Sequence, residues 1–315
     1  MRARLLLLLP LLAFAAVFAV TFAYYRLADG ESEDDPQTAR PAAAGSGQLI
    51  VALEENPGVR LYSVGVDGTG GRFLTADDEP ADGGILVEAH PDWSPEAGHI
   101  AFTRYMIRGQ ETAAPKIWAV NPDGTNLIQL TRGPHPDFLP AWSPDGKKIA
   151  FTREFRGSAE IFLMNVDGSG VTQLTRETAS HEEHPAWSPD GRRIAYRSAG
   201  ETDQDLFVMN ADGSQPKRLT DGPFEASDPA WSPDGEQIAF ICDADLCLIG
   251  AEEGSRPVQL LGTPRAEFSP RWSPDGNWIA FARDPGQLML LEIETKKLVR
   301  VPLKGNSFTL SWGPK

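Results

Sequence analysis

Six tryptophans, Trp93, Trp142, Trp187, Trp231, Trp272 and Trp312, index the residues of this chain that can do chemistry. Three positions ahead of them stand His90, Leu139, His184, Asp228, Ser269 and Thr309. Five positions ahead stand Glu88, Asp137, Glu182, Ala226, Glu267 and Ser307. Imidazoles and carboxylates at equivalent positions of a repeat can hold a divalent cation or act as general acid and base. His90, Glu182 and His184 are the set expected to coordinate a metal if the chain takes one, and the same groups without a ligand would line a water-filled channel. Arg104, Arg153 and Arg283 each follow a tryptophan by eleven positions. They either pair with acidic residues of the chain or grip carboxylates of a glycan or a peptide terminus through forked hydrogen bonds.

Other arrangements carry less. His181-Glu-Glu-His184 lacks the spacing of a zinc protease, which needs two histidines four apart on one helical face. The recurrent Asp-Gly pairs lack an alternating aspartate series, so turn formation explains them and calcium does not. No Gly-x-Ser-x-Gly elbow, P-loop or dinucleotide fingerprint occurs. Nothing shows a covalent catalyst.

The elements that position these residues follow from the repeat. Trp-Ser-Pro-Asp-Gly, two polar residues and Ile-Ala-Phe (or Tyr) recur from Trp142, Trp187, Trp231 and Trp272, with a variant at Trp93 and a shortened copy at Trp312. Pro presets φ, Asp bonds its own backbone and Gly accepts positive φ, so each copy is a tight turn between two strands. A second constant stretch follows, as in Glu160-Ile-Phe-Leu-Met, and runs into an Asp-Gly turn. The turn aspartates Asp67, Asp123, Asp167 and Asp212 stand eight positions before Thr75, Thr131, Thr175 and Thr220, which marks a second hairpin of constant geometry. The tryptophans are 49, 45, 44, 41 and 40 residues apart, the period of a four-stranded propeller blade. Three strands precede the first complete unit and one lone strand ends the chain. The expected fold is therefore all-β: a six-bladed propeller closed three-plus-one by the two termini. In such a ring the short turns share one face and the variable loops the other, where the channel mouth and binding residues are expected.

Those repeats resemble the TolB-type propeller repeat across residues 48–315. The likeness is partial, since that family carries an additional α/β domain and here a short linker precedes the ring. Some TolB-like propellers of the oligogalacturonate lyase family are similar at the level of repeat and channel histidines. That likeness implies one alternative function, a metal-assisted lyase or hydrolase acting on an acidic polysaccharide.

Residues 1–4 hold two arginines and precede an apolar segment, 5–25, long enough to span a bilayer of about 30 Å. Arginines before it and acidic residues after it orient a transmembrane signal anchor with the propeller outside the cytoplasm, in the periplasm or at the cell surface; a cleaved signal peptide would make the chain secreted. Residues 26–47 read as a flexible linker. A net charge of −15 excludes nucleic acid as a partner. Cys242 and Cys247 are either a disulfide or two buried thiols. Together these features point to a monomeric, non-catalytic module recognising a protein or another cell-envelope component. His90, Asp137, Glu182, His184, Asp228, Glu267, Arg104, Arg153 and Arg283 are its candidate contact residues.

Overall fold

The computed structural model describes residues 47–75, 83–95, 98–176 and 179–313. The apolar segment 5–25 and nearly all of the linker lie outside them. Among the described residues every regular element is a strand, and no helix is long and apolar enough to cross a membrane.

Each Ser-Pro-Asp-Gly turn is wired identically. In the copy at Ser143, Asp145 accepts hydrogen bonds from the Ser143 hydroxyl at 2.7 Å and the Lys147 amide at 3.1 Å, while Ser143 Oγ accepts from the Lys148 amide at 2.9 Å. Gly146 takes φ 65°, which a side chain would resist. The turn thereby sets the register of Asp137–Trp142 against Lys148–Phe155, and Ser158–Asn165 and Thr172–Gln173 complete a four-stranded antiparallel sheet. Three further sheets repeat this order, with inner strands His181–Trp187, Ala226–Trp231 and Glu267–Trp272. The remaining strands form two such units joined through a parallel bridge of Val59 to Val87; in one of them the last strand, Ser307–Trp312, pairs antiparallel with the first, Gln48–Glu55. The six inner strands contact one another in cyclic succession, Ser307–Trp312 meeting both Glu267–Trp272 and Ile85–Trp93.

The Ile-Ala-Phe segments are fully buried because each sheet is covered on both faces by its neighbours. Ala101 and Ile117 of one unit, for instance, pack with Ile149, Phe151 and Met164 of the next. Polar contacts also lock adjacent units. The indoles of Trp187, Trp231 and Trp272 donate to the carbonyls of Ala141, Ala186 and Ala230 in the preceding inner strands at 3.1–3.2 Å.

All six inner strands carry a β-bulge at one position. In the first of these, Ala89 faces Thr103 and Asp92 faces Ala101, so His90 and Pro91 together oppose a single residue. His90, Leu139, His184, Asp228 and Ser269 occupy this bulge with φ between 50° and 55°, each followed by proline. Proline has no amide proton to lose at a bulge and disfavours right-handed helical geometry in the residue before it. Thr309 lacks the following proline and is not in the left-handed region.

Cys242 and Cys247 are joined by a disulfide with Cα atoms 6.0 Å apart. They bracket a two-residue turn, Asp243-Ala244, with positive φ at both positions. The residue directly opposite Cys242 is Asp245, and Cys247 lies diagonally across.

Candidate functional site

The bulge turns the residues three before each tryptophan into a shared axial layer. His184 Nδ1 lies 2.9 Å from Asp228 Oδ1 of the next unit, and both side chains are about one-fifth exposed. Burial works against the charge of Asp228, yet the adjoining His184 imidazole, with Arg271 and Arg197, holds its carboxyl well below the usual range. Burial, followed by the neighbouring His184, pushes His90 down to about 3, against the pull of Asp228. His90 is therefore neutral near pH 7. Its amide donates to Thr309 Oγ1 at 2.8 Å, and its Nδ1 lies 3.4 Å from Thr103 Oγ1.

The residues five before the tryptophans do not join this layer, contrary to the expectation that both sets meet at a channel mouth. Glu88, Asp137, Glu182 and Glu267 are buried at zero to 1% exposure, and their partners belong to the protein. The antiparallel register sets Glu88, Asp137 and Glu267 directly opposite Arg104, Arg153 and Arg283. Asp137 accepts a fork from Arg153, Nε at 2.6 Å and Nη2 at 3.0 Å. Glu267 takes Arg283 Nε at 3.1 Å, and Arg104 Nε stands 3.7 Å from Glu88. Two of these carboxylates also bind the preceding unit: Glu88 accepts from the amide of Leu61 and Glu267 from that of Leu246, both at 3.2 Å. Despite these donors, burial raises both glutamates above their ordinary range. The three arginines accordingly brace the sheets, with guanidinium planes over Trp118, Phe162 and Phe281.

Glu182 is likewise occupied. It accepts from the hydroxyls of Ser180 at 2.5 Å and Ser198 at 3.0 Å, on the residue opposite it in the neighbouring strand. No three His, Cys, Asp or Glu side chains come together at metal-binding geometry among the described residues. Glu182 thus stands apart from His90 and His184: the bulge separates the strand position of the histidines from the one whose side chain bonds within its own sheet.

A cavity of about 300 Å³ opens at the other end of the inner strands, on the face of the short turns. The six repeat tryptophans border it, with Pro95, Pro233 and Pro274 of the turns. The residues one before each tryptophan, Asp92, Ala141, Ala186, Ala230, Arg271 and Ser311, line it together with Pro140, Pro185 and Pro229. Three consecutive units, carrying Arg271, Ser311 and Asp92, make a polar arc, and the three alanines make an apolar one. Asp92 Oδ2 accepts the Trp142 amide at 2.7 Å, and Ser311 Oγ accepts the Trp93 amide at 3.0 Å. Burial raises the Asp92 carboxyl to about 6, against the opposing charge of Arg271. Asp92 and Arg271 escaped the reading of the sequence, which followed positions three and five before tryptophan. Their signal was a departure from the repeat: Pro-Ala-Trp in three units becomes Pro-Asp-Trp93 in one and Pro-Arg-Trp272 in another.

Residues 119–246 match the family model of the TolB beta propeller domain. The Tol-Pal system protein TolB of Anaeromyxobacter dehalogenans (strain 2CP-C) is 32% identical over 89 residues, 28% of this chain and 19% of that protein. An uncharacterized peptidase, YuxL of Bacillus subtilis, is 26% identical over 106 residues, 33% of this chain and 16% of the relative. The matched stretches span less than one-fifth of these curated relatives. The solved structure of TolB from Acinetobacter baumannii superposes with a TM-score of 0.71 at 21% identity, covering 85% of this chain and 67% of that one. A chain of the nidogen/laminin complex reaches 0.68 at 11% identity, covering 85% of this chain and 98% of that one. Identities this low establish the shared fold.

Proposed function

We propose, from the premise that the chain is a TolB-like β-propeller protein, that it is a non-catalytic recognition module held outside the cytoplasm by its apolar segment 5–25. The propeller has six blades, the one shared between the termini closing the ring. The cyclic succession of inner strands and the pairing of Ser307–Trp312 with Gln48–Glu55 support that count. The partner is a protein of an envelope assembly, a reading supported by relatives named as proteins of a Tol-Pal system.

One observation carries the proposal. The charged residues at the starts of the inner strands neutralise one another inside the sheets, which stiffens the ring and leaves its variable loops as the presented chemistry. The hairpin of Ile100–Arg108 and Glu111–Thr112 pairs along the inner strand Ile85–Trp93 to its first residue and has an exposed tip at 108–113. Rigid scaffolds place binding on such elements. The metal-assisted enzyme has no gathered ligand set to support it among the described residues.

The test is reciprocal crosslinking and pull-down of the full chain from its native membrane, beside a variant whose tip 108–113 is replaced by a two-residue turn. The expected result is one stoichiometric protein recovered with the parent and lost with the variant. Recovery of no partner, together with cleavage of an acidic polysaccharide that requires His184, would overturn the reading.

A further inference from the structure

The cavity on the short-turn face lies at the opposite end of the ring from the loops assigned to the protein partner, and its chemistry is different. Six of its lining positions, one before each tryptophan, are equivalent by repeat, and small residues suffice at four of them. The two exceptions are a guanidinium and a carboxylate. Among the described residues Arg271 makes a hydrogen bond from Nη1 to its own Pro270 carbonyl at 2.8 Å and has no carboxylate within 4.0 Å. The half-buried guanidinium feels the charges of Asp92 and Asp228, but neither carboxylate is within bonding reach, so most of its donors face the cavity. It also faces an aromatic-rimmed space rather than a sheet partner, which separates it from the bracing arginines.

We infer that this cavity is a binding site for a small carboxylate ligand anchored by the forked donors of Arg271, with the ligand's hydrocarbon part against Ala141, Ala186 and Ala230. Guanidinium and carboxylate match in plane and charge, and the pair forms two parallel hydrogen bonds. A volume of about 300 Å³ sits at the lower limit of ligand pockets, which selects a molecule of small size over a polymer. Asp92 selects further. It places a second, negative group on the same polar arc, so a doubly charged phosphate is repelled more strongly than a singly charged carboxylate. A ligand that also bears an ammonium group gains a partner in Asp92.

Tryptophan emission reads the site directly, because all six repeat indoles border it. The full chain is titrated with isovalerate and separately with leucine, which share a branched hydrocarbon and differ by the ammonium group. Saturation by at least one is expected, weakened roughly tenfold or more in R271Q and partly retained in R271K, which keeps the charge without the fork. Tighter leucine binding, lost in D92N, would assign the ammonium to Asp92; tighter isovalerate binding, improved in D92N, would assign a simple carboxylate. Thermal melts verify that the variants are folded, and R271K serves if R271Q is not. The inference is overturned if neither compound saturates below about 10 mM, or if folded R271Q and R271K bind as the parent does.

Discussion

Replacing Gly168 by alanine tests whether the sheets are held as an interlocked ring. Gly168 closes the second turn of its unit with φ +82°, and a Cβ there would stand 2.3 Å from the Leu130 carbonyl oxygen of the preceding unit. Ordinary contact would require that carbonyl to retreat by roughly 1 Å. Leu130 cannot retreat alone, since its amide donates to Ile117 within its own sheet at 2.9 Å. Gly157→Ala is the matched control: φ is +94° and the added Cβ meets nothing within 4 Å. Both variants incur about 1–2 kcal/mol for a left-handed alanine, offset by about 0.4–1 kcal/mol from a less flexible unfolded chain. Only Gly168→Ala adds the overpacking of a close interface, about 1–3 kcal/mol more.

The assay is urea unfolding of parent and both variants, followed by circular dichroism and tryptophan emission. Gly168→Ala should lower the midpoint well beyond Gly157→Ala, and Gly124→Ala should match it, because its Cβ would meet the Leu74 carbonyl at 2.2 Å. Equal shifts for Gly157→Ala and Gly168→Ala would refute the interlock, since backbone conformation alone would then account for both.

Further predictions concern buried charge. Arg153→Met removes the forked partner of the fully buried Asp137, leaving Lys116 at 3.9 Å as its remaining cation, and should cost on the order of 3 kcal/mol, much of it restored by adding Asp137→Asn; a double-mutant cycle in urea measures the coupling. His90 should show no protonation by NMR between pH 8 and about 4, because its folded pKa lies near 3 against 6.5 unfolded. The folded state then binds fewer protons, so His90 makes stability fall as pH drops from about 7 towards 3, and His90→Gln should remove that slope. Asp92 acts with opposite sign. Its pKa is raised from 3.8 to about 6, the folded state holds the extra proton between those values, and stability falls as pH rises through that window. Asp92→Asn should flatten that fall in urea midpoints measured from pH 4 to 7.

The repeat made the sheets legible because its turn residues act locally. Asp145, Ser143 and Gly146 set a hairpin whatever surrounds them, and so do their counterparts in later copies. The pairing of the last strand with the first also followed from strand order alone. The bulge did not. A left-handed histidine, leucine, aspartate or serine before proline has no distinctive propensity, and that single extra residue decides which strand positions face the axis. Without it, Glu182 and His184, two apart, appear to share a face; with it, one braces the sheet and the other meets Asp228. The arginine pairs were legible as an alternative only, because choosing between an internal and an external carboxylate requires the register that sets Asp137 opposite Arg153.

A repeat array makes its exceptions informative. Where six positions are equivalent in backbone and packing, a residue type that recurs among them reports what the ring needs, and a departure reports what one place in the ring does. Alanine before tryptophan is such a shared answer: the methyl is small enough for the axis and its carbonyl receives the next indole. Aspartate at 92 keeps one packing role by accepting the Trp142 amide. Arginine at 271 bonds only its own preceding carbonyl among the described residues, so packing accounts for the carboxylate better than for the guanidinium. Arg271, more than the histidines that first drew notice, is the side chain whose presence on the axis calls for a ligand.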